Sequence, residues 1–379
     1  MNKLPLIYRS FLLVMFAIVV AFLSIQSPID PAMATLWVID YQDEFLKRAL
    51  AGEILQHVTG AIYHLATINL IVKGAIYSFA VTFALFVARF YRNNMAVAIG
   101  LLLSAFAIQQ FGYDVGRFDP INQLITIVIL FVISISRSWM AVFIAISLSI
   151  FMLMVHEAAA LLNIPVVFVA LCFLACRDDV SLRLSLQPAL VYLLVCLVAF
   201  ALVIAFGGFD KHTPEQWQAY ILAKPADFTL DPAALGVQGA SLQHSVSMSV
   251  ERLFSASTLG RLLRALLVSG ATLILMTKSY KVVVLQYPKA IARLIWLPIL
   301  AIVPMFFLGI DFYRWISAMQ LGYFLLLGVI LYHRHLKLEV GNKLLFVWIL
   351  LSLYSGPFGV TVALPDRWRL PESFIKLFS

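Results

Sequence analysis

Two short stretches of this chain set an arginine three positions after an aspartate. They are Gly112-Tyr113-Asp114-Val115-Gly116-Arg117-Phe118 and Gly309-Ile310-Asp311-Phe312-Tyr313-Arg314-Trp315, and Asp119 follows the first. Each falls where one apolar run stops and another starts. An acid and an arginine so spaced can pair on a helix, and an arginine held that way offers its planar fork to a phosphate or a sugar carboxylate. Taken singly, either motif is as well read as an ion pair that seats a turn at a membrane interface. Taken together, Asp114, Arg117, Asp119, Asp311 and Arg314 are expected to converge on one diphosphate. The likeness fits an internal repeat as well as convergent use of the same chemistry.

Two further groups carry ionisable side chains at segment ends. His156-Glu157 stands at the tip of a hairpin of apolar segments, just before Asn163 and Pro165. The zincin pattern needs a second histidine where Ala160 stands, so metalloprotease chemistry is rejected. What remains is a polar helix end or, given the cost of ionisable groups at membrane depth, a ligand-binding pair. Asp40, Asp43 and Glu44 form the other group, any of which is a candidate general base on a hydroxyl. Their plainer role is a solvated helix face, with Asp43/Lys47 and Glu44/Arg48 as i,i+4 pairs. No metal-ligand spacing, phosphate-binding glycine loop, nucleotide fingerprint or nucleophile elbow stands at a credible place.

Composition sets the frame that must position these groups. A chain of 379 residues that is 63% hydrophobic and 12% charged cannot bury its apolar surface in one soluble core. Runs of about 17–25 apolar residues suit spanning helices, and about eleven are counted, with centres near Val19, Phe79, Leu103, Ile129, Ile146, Ala170, Val198, Leu273, Ile302, Leu326 and Leu350. They do not alternate as barrel strands do. The expected fold is an all-α polytopic membrane protein, one transmembrane domain over residues 1–379.

The first run reads as a retained signal anchor with its N-terminus in the cytoplasm. Threading from there leaves Arg89/Arg92, Arg137, Arg177/Arg183, Lys278/Lys281/Lys289/Arg293 and Arg334/Lys337/Lys343 inside, as the positive-inside rule asks, and the C-terminus periplasmic. Of the 19 acids only Asp178, Asp179 and Glu339 fall on the inner side. The net charge of +8 is thus topology and does not point to nucleic acid. Two outer segments are expected, at about 30–67 and 207–258, the first carrying an amphipathic interfacial helix around residues 43–54 and the second a short interfacial helix near Trp217. Cys172, Cys176 and Cys196 sit inside apolar runs as small packing residues.

Acids and arginines at an outer membrane face, lateral access from lipid and no nucleotide fold suit a polyprenyl-linked sugar. In its order of one span followed by an outer segment bearing Asp40, Asp43 and Glu44, the chain resembles the GT-C glycosyltransferases. That resemblance implies Asp43 as the base, with Asp40 or Glu44 as substitutes. With about eleven spans, one longer outer loop and outer arginines, it also resembles the polymerases and ligases of O-antigen and exopolysaccharide assembly, which implies that Arg117 and Arg314 hold the lipid diphosphate. The expected activity is polyprenyl-phosphate-dependent glycosyl transfer at the periplasmic face of the bacterial inner membrane. Expected partners are the lipid-linked glycan, membrane lipids and other glycan-assembly proteins; no certain cofactor is implied. The rival expectations are a transporter or flippase for a lipid-linked or anionic substrate, and a noncatalytic assembly scaffold.

Overall fold

The computed structural model describes residues 5–25, 28–41, 45–60, 62–113, 115–136, 138–176, 182–208, 212–239, 242–309 and 311–355. It is 78% helical, with no strand among the described residues. Among the described residues five helices are long and apolar enough to cross a bilayer: Leu6–Ser24, Leu65–Phe90, Leu186–Phe206, Lys289–Leu308 and Phe312–His333. The pair Ala256–Leu267 and Gly270–Val284, bent by 53°, makes a sixth if it crosses as one. Shorter apolar helices run over Asp119–Ile135, Trp139–Val155, Ala159–Ala175 and Asn342–Leu353. The chain is an all-α, multi-pass membrane protein.

Phe312–His333 is the hub of the bundle, with 83% of its apolar window buried against 22% for Leu186–Phe206. The latter turns Leu190, Leu194, Leu197 and Leu202 outward, as a lipid-facing helix must. Small residues let neighbours close on the hub. A Cβ at Gly328 would lie 2.7 Å from the Tyr91 ring, whose hydroxyl donates to the Phe324 carbonyl at 2.6 Å.

Two apolar runs that read as crossings are broken. The run centred near Leu103 splits into Met95–Leu102 and Ile108–Tyr113. Side chains take up the freed carbonyls there: the Ser104 hydroxyl donates to Leu101 at 2.6 Å and the Gln109 amide to Leu103. Near Ile302, Pro304 has no N–H for the helical ladder, and Leu297–Ile302 gives way to Met305–Leu308. Both breaks come just before an Asp-x-x-Arg motif.

The two segments expected to be outer pack on one another. Tyr63 donates its N–H to Pro225 at 3.0 Å and accepts from Asp227 at 3.1 Å. The Asp227 carboxylate accepts from the Leu65 N–H that opens the helix Leu65–Phe90, at 2.8 Å, and pairs with His64 at 3.0 Å. Asp231 donates its N–H to the Thr35 hydroxyl at 2.9 Å, and helix Pro232–Gly239 lies on Pro31–Thr35. Helix Pro214–Leu222 is started by a capping box between Thr213 and Gln216. Its Trp217, expected at the headgroup level, is instead 2% exposed, and helix Pro232–Gly239 packs on this helix.

The first outer segment also departs from the expected amphipathic helix. Helix begins only at Leu50 and runs to Thr59, and Arg48 sits at φ 67, a left-handed conformation that stops a helix from forming across it. Gly52 faces the Ile39 carbonyl so closely that no Cβ would fit, which docks Leu50–Thr59 on the Leu36–Val38 turn.

Candidate functional site

Three helix ends meet at one place. Asp119–Ile135 and Phe312–His333 begin there, and Trp139–Val155 ends there, with His156 as its extended C-cap at φ −161 and ψ 115. The first outer segment brings Arg48 to the same place. The first motif is held by local sterics: Gly112 lies against the Ser24 backbone, and Gly116 takes φ 111 while its carbonyl accepts from the Trp37 indole at 2.8 Å. The Trp37 and Phe118 rings are 4.9 Å apart beside it.

The ionisable groups form a single cluster. Arg48 grips both oxygens of Glu157, with its nearest contact at 2.5 Å. Arg314 reaches Asp311 at 2.7 Å and Asp119 at 3.2 Å, and Arg117 stands 3.7 Å from the same Asp311. His156 Nδ1 is 3.6 Å from Glu157. The side chains of all seven are between 8% and 21% exposed. Asp311 therefore serves an arginine from each Asp-x-x-Arg motif, its own Arg314 and, at longer range, Arg117.

Burial alone would raise the Glu157 carboxyl, but the Arg48 guanidinium outweighs it and holds Glu157 well below the usual carboxylate range. Asp311 is likewise held down, burial being overcome by Arg314, Arg117 and Arg48. His156 shows the opposite balance. Its burial, then the charge of Arg48, lowers it to about 4, so the imidazole is neutral at physiological pH. A neutral His156 thus stands beside the Arg48–Glu157 pair, with Arg314 and Asp119 close by.

Of the residues expected to act together, the structure joins Arg117, Asp119, His156, Glu157, Asp311 and Arg314. Asp43, Glu44 and Asp114 lie outside the described residues. Asp40 belongs to a different group: its buried carboxylate pairs with Lys224 and accepts from the Tyr63 hydroxyl at 3.0 Å, while Lys224 also donates to the Val38 carbonyl at 3.2 Å. It ties the outer segments together. Arg48 was not anticipated here, because its sequence neighbourhood points to a pair with Glu44, whereas its partner is 109 positions away. No local signal identifies such a partner. Among the described residues no group of three or more His, Cys, Asp or Glu is placed to hold a metal ion.

No family model, curated protein or solved structure matches this chain.

Proposed function

We propose that this protein is a glycosyltransferase of bacterial envelope glycan assembly, moving a sugar or oligosaccharide from a polyprenyl (di)phosphate to an acceptor hydroxyl at the periplasmic face of the inner membrane. The observation that supports it most is the meeting of Arg48, Arg117 and Arg314, from three distant segments, in one largely buried group at helix ends. Guanidinium forks match diphosphate oxygens, and the two helices that begin at the cluster favour an anion there. Pairing with Asp119, Asp311 and Glu157 orients the arginines for that ligand.

In the reaction the acceptor oxygen attacks the anomeric carbon and its proton passes to a carboxylate. The bond from that carbon to the phosphate oxygen breaks, and the electron pair leaves with the polyprenyl diphosphate, whose growing charge the arginines meet. Asp43 or Glu44, on the segment that delivers Arg48, is the proposed base, since Asp40 is tied to Lys224. The topology that goes with this reading has about eleven crossings, a cytoplasmic N-terminus, a periplasmic C-terminus and the Arg48-bearing segment at the outer surface.

Reconstituted protein given a polyprenyl-linked oligosaccharide is expected to yield longer glycan and free polyprenyl diphosphate. Binding of that lipid with no covalent change would remove the enzyme reading. A transporter or flippase is the second reading, favoured by the broken helices ahead of both motifs, since interrupted helices build substrate sites in transporters. Its mark would be movement of the intact lipid-linked sugar across vesicles.

A further inference from the structure

We propose that His156 serves as a fixed, uncharged hydrogen-bond donor, presenting its Nε2–H to an oxygen of the bound diphosphate, and that it does not accept a proton in the reaction. The inference rests on the reading of the cluster as a diphosphate site.

The tautomer follows from geometry. The backbone N–H of Ala158 donates to Nδ1 at 3.1 Å, so Nδ1 holds a lone pair and the single ring proton is on Nε2. Glu157 stands 3.6 Å from Nδ1, too far to compete for it, and both its oxygens are taken by Arg48. Protonating Nδ1 would strip the Ala158 N–H of its acceptor in a buried place. It would also bury a charge beside Arg48 and Arg314: burial, the largest cause, and then Arg48 and Arg314 disfavour a cation there, while Glu157 and Asp119 pull the other way. The ring is held where it stands: its backbone N–H donates to Met152 at 2.9 Å and Phe118 packs edge-on with centroids 6.3 Å apart. Among the described residues nothing accepts from Nε2. A neutral donor adds a hydrogen bond to an anion without adding a further charge to the site.

Two amide variants separate the ring nitrogens. His156→Gln places an N–H near the position of Nε2, and His156→Asn places one near Nδ1. Binding of polyprenyl diphosphate to protein in lipid nanodiscs is expected to stay within about threefold of wild type for H156Q and to weaken about tenfold or more for H156N, the usual scale of one hydrogen bond to an ionised group. The deficit of H156N should be the same from about pH 5.5 to 8, since the ring has no charge to lose there. Nitrogen-15 spectra of histidine-labelled wild type, assigned by difference from H156Q, should show His156 protonated on Nε2 alone across that range.

Equal binding by H156N and H156Q beside tight wild-type binding overturns the role given to His156 and leaves the diphosphate site standing. A ring protonated on Nδ1, or a charged ring, overturns it as well. Wild type that binds no polyprenyl diphosphate overturns the diphosphate site, and the recipient named for Nε2–H falls with it.

Discussion

Arg48 and Glu157 illustrate what a largely buried ion pair does for this fold. Removing one partner leaves a desolvated charge, which costs about 3–5 kcal/mol, whereas removing both costs far less. Thermal unfolding in detergent should therefore show a large loss for Arg48→Ala and a smaller one for the R48A/E157Q double variant, with a coupling of about 1–3 kcal/mol. Equal losses that simply add would mean the two do not interact. At the arginines that face the proposed ligand, Arg117→Lys and Arg314→Lys keep charge but lose the fork, so glycan yield should fall while membrane insertion is kept. Normal yield from both would strip them of that role.

The same side chains set the response to pH. Folded Glu157 and Asp311 lie below their unfolded values, so each contributes stability above the ordinary carboxylate range and loses it as pH falls through that range. His156 is lowered from 6.5 to about 4, so unfolding takes up a proton between those values and stability declines there too. The melting temperature should be flat above about pH 6.5 and fall in the acid direction, more steeply once the carboxylates titrate. H156Q should remove the first part of that decline and keep the second.

At the scale of elements, the first motif is placed by a turn more than by a helix. Gly116 at φ 111 carries its carbonyl to Trp37, and a Cβ there would come within 2.6 Å of Met33. Gly116→Ala should cost about 1–3 kcal/mol and displace Arg117 as well, so binding of polyprenyl diphosphate should weaken more than the stability loss accounts for. Trp37→Phe keeps the ring contact with Phe118 but loses the indole donor, and a drop of about 1 kcal/mol without loss of binding is expected.

Across the whole molecule, charge separates along the hub. Its N-terminal end holds the acid-and-arginine cluster, and its far end, 22 residues on, meets cations: Arg89 and Arg92 lie over the Tyr332 ring at 5.4 and 5.1 Å, and Arg334 donates to the Cys176 carbonyl. That helix is about 33 Å long, close to the thickness of a bilayer core. Cysteines placed at the exposed positions Val58 and Leu285, in a background without the native cysteines, should react with an impermeant thiol reagent from opposite sides of the membrane. Labelling of both from one side would break the proposed topology. The packing of segment 212–239 on segment 30–67 depends on Lys224 and Asp40, so Lys224→Ala should expose residues 212–239 to proteolysis while the long apolar helices resist.

The sequence by itself determined where most of the apolar helices fall, because hydrophobic run length acts over a few turns of chain. Ten of the eleven expected centres lie in helices, and the exception, Leu103, sits at a break made by Ser104 and Gln109. It also singled out Arg117, Asp119, His156, Glu157, Asp311 and Arg314, since a charge at the end of an apolar run is conspicuous. The i,i+3 pair of Asp311 and Arg314 was legible as well, whereas the long-range pairs were decided by the tertiary structure alone. Arg48 left its expected local helix for Glu157, Arg117 came within 3.7 Å of Asp311, and Asp40 went to Lys224, because a buried charge takes the opposite charge that helix packing brings near, however far away it lies along the chain.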